Sequence, residues 1–346
     1  MKNKMRIAFF LSFFILTFTG CYDNDEIDSL ANVVAVGIEQ SGNQIGFTFA
    51  IADMGSFASA GDDGSKSGSL CYFVQTDDIE NAIEEINSRI SKKLSFSHMS
   101  VILAAKSAAR AGITDTVDYF EKMPDVRPQT LIAVSDIKPS EYLEKFNPSL
   151  EVNPEKYFLN IFQRSSSYIP VLRMSDYINS VNCTTDVLAP VISGSFSDSG
   201  TTEESSYVSG AVLMRKGKMR YEIGDTVTVG LLNSEKNVLL DYNGKEYILY
   251  SAEKPKISAE IKGTKTLVNV SLTVGSKSRK FKDNEFLAEK IKTYLTESSK
   301  GGYDIFGFSE LMKKSFRFQN AYDSYDWRSS LVRCDYTVDV KILYGK

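Results

Sequence analysis

LCYFVQTDDIENAIEEINSRISKKLSFSHMSVILAAKSAARAGITDTVDYF, residues 70–120, carries the alternation of periods that decides the fold. Leu70 to Gln75 is strand-like. Ile79, Ile83, Ile86 and Ile90 then recur at helical spacing and define one apolar face of an amphipathic helix. Asp77 followed three residues on by Glu80 suits that helix's N-cap. Val101 to Ala105 returns to a strand, and Ser107 to Met123 reads as a helix broken near Gly112. Beyond the quoted stretch, Leu131 to Val134 is a buried strand and Ser140 to Phe146 a short helix. Strand and helix therefore alternate from Leu70 to Phe146, which predicts an α/β sheet covered by helices.

Working outward, Ala31 to Glu39 and Gln44 to Asp53 form a hairpin about Ser41-Gly42-Asn43, and Gly55 to Gly68 reads as a solvated loop. Pro154 to Gln163 and Met174 to Val181 look helical, and a Ser/Thr/Gly/acidic stretch from Ser193 to Ser206 marks a linker or loop. Two hairpins follow, Val208 to Glu222 about Lys216-Gly217-Lys218 and Leu239 to Tyr250 about Asn243-Gly244. They suggest a small middle domain. From Pro255, Ile257, Ala259 and Ile261 match Val268, Val270, Leu272 and Val274 across Gly263-Thr264, before helices at Asn284 to Thr296 and Ile305 to Phe316. Val332, Cys334, Tyr336, Val338, Val340 and Ile342 alternate with polar residues as a half-buried strand. The expected architecture is α+β or mixed α/β, with three domains after a signal peptide at 1–20: 21–192, 207–252 and 255–346. Each is expected to hold a mostly antiparallel or mixed sheet with helices packed on it.

Composition narrows the function. The chain has 346 residues, 42% hydrophobic and 24% charged, with 40 basic against 44 acidic side chains, values of a globular protein with two or three domains. A nucleic-acid binder usually shows a strongly basic domain, and no such cluster occurs. One His and four Cys leave little material for a metal centre or a His-based triad. No cofactor is expected.

Lys2, Lys4 and Arg6 precede an apolar run of about ten residues, Ile7 to Leu16, and then Thr17-Phe18-Thr19-Gly20-Cys21. This is the pattern of a secretory signal peptide, the apolar run being shorter than the roughly 20 residues a membrane span needs. Gly20-Cys21 resembles the lipobox of bacterial lipoproteins, in which the cysteine thiol carries diacylglycerol after cleavage; Phe18 stands where Leu is usual. Two acyl chains would keep Cys21 on the bilayer, since one chain alone binds only marginally. Cleavage removes three basic residues and no acid, leaving 37 basic against 44 acidic side chains. Cys71, Cys183 and Cys334 then form an odd set without C-x-x-C spacing, for which buried thiols are expected and one disulfide is the alternative.

The residues after the lipobox carry a resemblance. Gly20-Cys21-Tyr22-Asp23, Glu26-Ile27 and Val36-Gly37-Ile38 resemble the opening of the Ger(x)C family, the C subunits of nutrient germinant receptors in spore-forming bacteria, with Tyr22 and Glu39 as conservative departures. Lys93 to His98 followed by Ala109-Arg110-Ala111-Gly112-Ile113, then Ser209 to Leu213 with Gly230 to Glu235, are similar to later family segments in the same order. Tyr303-Asp304-Ile305-Phe306-Gly307-Phe308 with the downstream Trp327 resembles the family's D-[IP]-F-G-F motif and late Trp, and Ser309 replaces a frequent second Gly. The resemblance implies a non-enzymatic lipoprotein of three mixed α/β domains on the outer face of the spore inner membrane, completing a receptor with membrane subunits A and B.

Several single residues have plainer roles than a functional one. His98, the only His, reads as a satisfied side chain at a strand edge. Glu84-Glu85 and Glu203-Glu204 read as solvated charge, since neighbours in a helix do not face one another. The aromatic segment Asp304, Phe306, Phe308 with Trp327 is the candidate partner interface, against core packing and, for Asp304, a helix N-cap. Three functions compete: a receptor subunit, a solute-binding lipoprotein delivering a small molecule to a transporter, and an extracytoplasmic hydrolase. The solute binder needs two similar lobes around a cleft, which the units do not match, and the hydrolase lacks a triad or metal set.

Overall fold

The computed structural model describes residues 29–52, 69–145, 156–158, 160–161, 171–183, 185–195, 205–234, 236–262, 265–277, 280–308 and 331–343. The signal-peptide reading, Cys21, Trp327 and the Gly55 to Gly68 loop lie outside these residues.

The first hairpin forms as the sequence suggests: β1 (Leu30–Ser41) and β2 (Gln44–Ala52) pair antiparallel, with Gly42 at φ +60° in the turn. Next come β3 (Ser69–Thr76), α1 (Ile79–Arg89), β4 (Lys93–Ser95), β5 (Val101–Ala105), α2 (Lys106–Ala111), α3 (Thr114–Glu121), β6 (Leu131–Ser135) and α4 (Pro139–Lys145). Then β7 (Leu172–Arg173), α5 (Met174–Cys183), β8 (Asp186–Ser195), β9 (Ser205–Arg215) and β10 (Lys218–Ile223) complete a ten-stranded sheet ordered β10-β9-β8-β6-β5-β1-β2-β3, with β4 and β7 pairing beside it. β1, β5, β6 and β8 run parallel in its middle and antiparallel strands finish both sides. The strand-helix alternation read from residues 70–146 supplies β5 and β6 of this parallel centre, whereas its first strand, β3, is an antiparallel edge strand.

Both faces of that centre are covered, as a parallel core requires. Ile102 and Ala104 of β5 join an apolar cluster with α1, α2, α3 and α5, whereas Val101 and Leu103 join a second cluster with Tyr142 and Leu143 of α4 on the other face. Val36-Gly37-Ile38-Glu39 on β1 explains itself here. A Cβ on Gly37 would lie 2.7 Å from the Pro139 side chain, so glycine is what lets α4 lie on the strand. Glu39 is buried, and its carboxylate accepts from the Ser140 backbone N–H at 3.2 Å and its hydroxyl at 2.8 Å. In Ala109 to Ile113, Gly112 takes φ +116° between α2 and α3, which is the break expected near that residue.

Three local expectations shift. The α1 N-cap is Asp78, one residue later than expected, its carboxylate accepting from Asn81 N at 2.8 Å. His98 sits exposed in the turn between β4 and β5 and is not at a strand edge. Of the three cysteines only Cys334 is buried; Cys71 is half-buried and Cys183 exposed, and all three are thiols. Glu84 is solvated as expected, and Glu85 pairs with Arg89 one turn on.

The second sheet holds α6 (Thr226–Leu232), β11 (Val238–Tyr242), β12 (Lys245–Ser251), β13 (Lys256–Lys262), β14 (Lys265–Ser276), α7 (Asn284–Lys300) and β15 (Cys334–Leu343). Ile257 faces Val270 and Ala259 faces Val268 across β13 and β14, as the pattern suggests. β15 runs parallel to β14 from Thr266 to Gly275 on one edge, so β12 and β13 share the other. Leu287, Ile291 and Leu295 of α7 pack on Val268, Val270, Leu272 and Val274.

Residues 207–252 do not build a sheet of their own. β9 and β10 extend the first sheet, β11 and β12 belong to the second, and α6 lies between them in sequence. A turn dipeptide fixes a hairpin and not the sheet it joins, because the neighbouring strand comes from far along the chain. The fold is mixed α/β, with one large mixed sheet and a smaller, largely antiparallel one.

Candidate functional site

Three of the residues singled out in sequence, Asp304, Phe306 and Phe308, meet in one turn after α7, at the joint between the two sheets. Ile305 to Gly307 form that turn, where a helix from Ile305 was expected; Phe308 is the first helical residue and the remainder of that expectation lies outside the described residues. Gly302, at φ +66°, reverses the chain as α7 ends, donating to Ser299 O at 2.8 Å. Asp304 is 8% exposed, and its carboxylate accepts from Phe308 N at 2.6 Å. The carboxylate thus closes the turn from inside; with Phe308 as the first helical residue, Asp304 stands too early to be the helix N-cap expected of it. Ile305 packs with Leu188, Leu213, Ile223 and Tyr294, and the Phe308 ring lies 6.0 Å from Tyr336 in the core of the second sheet. Phe306 is half-buried, 5.7 Å from Phe308. The motif therefore holds two parts of this chain together.

The first sheet meets the turn with an ion pair that sequence reading missed. Asp186 opens β8 and Arg215 closes β9, and the two are register partners. Arg215 Nε donates to Asp186 Oδ1 at 2.5 Å, and its second nitrogen contacts Oδ2. The same guanidinium donates to Gly302 O at 2.6 Å and lies 5.0 Å from the Tyr303 ring, while Asp186 Oδ2 accepts from Asp304 N at 2.9 Å. With side chains 16% and 4% exposed, this is a desolvated two-point pair whose spare donors and acceptors are used by the second sheet's turn. Asp186 raises the Arg215 guanidinium above its ordinary range, so the charge is permanent. Opposite charges at the open ends of a hairpin were the only sequence signal, and the long β8 to β9 connection hid it.

Beside the joint, the outer face of α7 and the segment from Tyr221 to Asp225 enclose an open cleft of about 520 Å³. Asp225 caps α6, accepting from Val227 N at 3.1 Å, and pairs with Lys290 of α7 at 3.3 Å. Tyr221 stacks near Tyr303 with ring centroids 5.3 Å apart. Among the described residues, no group of three or more His, Cys, Asp or Glu is placed to hold a metal, and no helix is long and apolar enough to cross a membrane.

The fold and this joint define a class: a two-sheet mixed α/β protein whose parts are locked by a buried Asp–Arg pair and an aromatic turn. The chain belongs, through residues 23–194, to the Spore germination protein N-terminal domain family, and so to the C-subunit family of spore germination proteins. It is 25% identical over 226 residues to the Putative spore germination protein YfkR of Bacillus subtilis (strain 168), covering 63% of this chain and 58% of that one. It is 21% identical over 253 residues to the Spore germination protein KC of the same organism, covering 66% of this chain and 61% of that one. The matches thus span about three-fifths of those relatives' length. The crystal structure of the GerBC protein shares the fold, with a TM-score of 0.53 at 14% identity over 89% of this chain and 97% of that one.

Proposed function

We propose that this chain is the C subunit of a nutrient germinant receptor: a non-enzymatic lipoprotein held by Cys21 on the outer surface of the spore inner membrane, completing a complex with membrane subunits A and B. The family match over residues 23–194 carries this reading. Gly20-Cys21 after an apolar run supports the anchor, and two acyl chains give lasting attachment where one does not. Confinement to the bilayer raises the effective concentration of the body toward partners in the same membrane, so modest contacts suffice. Asp304, Phe306 and Phe308 serve assembly by fixing the two sheets relative to one another, so that surfaces on both meet the partners together. Trp327 keeps its place as a candidate contact.

Affinity capture from spore membranes tests the proposal. Copurification of two polytopic subunits, lost in vesicle-free extracts of a Cys21→Ala strain, is the expected result. A Cys21→Ala protein that stays fully membrane-bound without partners overturns the anchor. Recovery of a transporter component together with a bound small molecule favours the solute-binding alternative.

A further inference from the structure

We infer that β3, the outer strand of the first sheet, pairs antiparallel with β3 of a second copy of this chain across a two-fold axis. Neither the Cys21 anchor nor a membrane subunit is needed for it. β3 pairs with β2 at the end of the sheet, and among the described residues no strand lies beyond it. An outer strand presents unpaired backbone N–H and C=O groups to any strand that arrives, so proteins guard such edges with charges, proline or bulges. The other outer strands here carry that guard: Lys218, Arg220 and Glu222 on β10, Asp241 on β11, Lys256, Glu260 and Lys262 on β13, and Asp335, Asp339 and Lys341 on β15. β3 reads SLCYFVQT, eight residues without charge, proline or glycine, in unbroken register with β2.

Side chains at this edge are open as well. Leu70 is 53% exposed and Phe73 41% exposed, on opposite faces of the strand. The Phe73 ring lies back over Gly46 of β2, where an added Cβ would stand 2.8 Å from it, so the outer backbone is left clear. An uncharged strand meets its own copy without like-charge repulsion, and a two-fold axis makes every contact twice. With Tyr72 on the axis, Leu70 of each copy stands opposite Val74 of the other, Tyr72 opposite Tyr72, and Phe73 opposite Cys71. These are aromatic and apolar cross-strand pairs, the kind that stabilise a sheet.

The helix beside the edge selects a second copy over an unrelated strand. α1 leaves the Thr76 end of β3 and delivers the chain to β4 beside Leu30, at the end of the sheet where β3 begins, so it runs back along β3. Its Ile79, Ala82, Ile83 and Ile86 face the core. Burial first, then the charges of Glu80 and Glu84, push the Tyr119 phenol upward, which places those two glutamates toward α3. At about 3.6 residues per turn, Glu85 and Arg89 fall on the other side, toward the edge, where they pair one turn apart. A two-fold axis sets α1 antiparallel to its copy and brings Glu85 of each toward Arg89 of the other. Exposed pairs add little affinity, but their pattern decides which partner fits.

The test is light scattering of the full chain in detergent across a wide range of concentration, with amide hydrogen exchange alongside. The expected result is a mass rising from one copy to two, with slower exchange of the β3 amides in the dimer. Leu70→Lys puts a charge at an already exposed position and should weaken the dimer about 10-fold, since the altered pair occurs twice. Leu239→Lys, at a comparably exposed leucine of β11, should change nothing. Glu85→Lys and Arg89→Glu should each weaken self-pairing about 3-fold. An equimolar mixture of those two proteins should dimerise as well as the unaltered chain, because each supplies the charge the other lacks. A single-copy mass at every concentration, a dimer indifferent to Leu70→Lys, or a mixture no better than its components overturns the inference. Protection of β3 only when other spore membrane proteins are present, with the chain itself monomeric, also overturns it and assigns the edge to a foreign strand.

Discussion

The two sheets obey different rules. In the first, β5 and β6 are buried at every residue, because helices cover both faces of a parallel centre. In the second, β15 alternates, with Cys334, Tyr336, Val340 and Ile342 inward and Asp335, Thr337, Asp339 and Lys341 outward. The first sheet is thus a filling between two cores, and the second is the lid of one. A substitution on β5 or β6 has no harmless face, whereas on β15 its cost depends on parity. Between them lies the Asp186–Arg215 pair, which belongs to the first sheet by sequence and to the second by its hydrogen bonds.

The largest expected effect comes from breaking that joint. Arg215→Met leaves Asp186 buried without its counter-charge and removes the donor to Gly302 O, so a loss of about 3–5 kcal/mol is expected in denaturant unfolding. The same change should split one transition into two, since the sheets keep their own cores when uncoupled. A single transition with unchanged midpoint would show that the pair does not couple them.

Next comes the parity comparison. Ile102→Ala and Leu103→Ala are neighbours on opposite faces of β5, and each should cost about 3 kcal/mol, since both leave cavities in closed cores. On β15, Ile342→Ala should cost about 2 kcal/mol and Lys341→Ala less than about 0.5 kcal/mol. Urea midpoints of the four variants measure this. Equal costs along β15 would mean that its outer face is also covered.

The smallest effect is in thiol chemistry. Burial pushes the Cys334 thiol up to about 11, well above its ordinary range. The folded state therefore favours the protonated form. That contribution is intact below the unfolded thiol's value of about 8.5 and is lost as pH rises toward the folded value. Thiol labelling at neutral pH should modify exposed Cys183 quickly and Cys334 only upon unfolding. A slight loss of second-sheet stability between pH 9 and 11, absent in Cys334→Ala, should accompany it.

How far each of these features was legible depends on its range. Asn243-Gly244 and Lys216-Gly217 adopt positive φ and turn their hairpins where the sequence says they must, because that preference is held by the residues themselves. The isoleucine stripe of α1 was equally plain, and only its cap moved by one residue, since Asp77 and Asp78 offer the same chemistry. The aromatics at 306 and 308 announced burial without saying against what, and the answer was the same chain. Tyr294 gave no sign: its hydroxyl, without a partner among the described residues, is enclosed because the first sheet closes over α7.

By itself the sequence determined most local elements and the family, because turn residues, periodicity and collinear motifs act over a few positions. Tertiary structure alone decided that the middle hairpins are shared between two sheets, that Asp186 and Arg215 lock those sheets, and that Glu289, Tyr294 and Glu297 line one cleft. Strand neighbours, buried ion pairs and cavity walls are contacts between residues far apart in the chain, and no local propensity encodes which distant partner completes them.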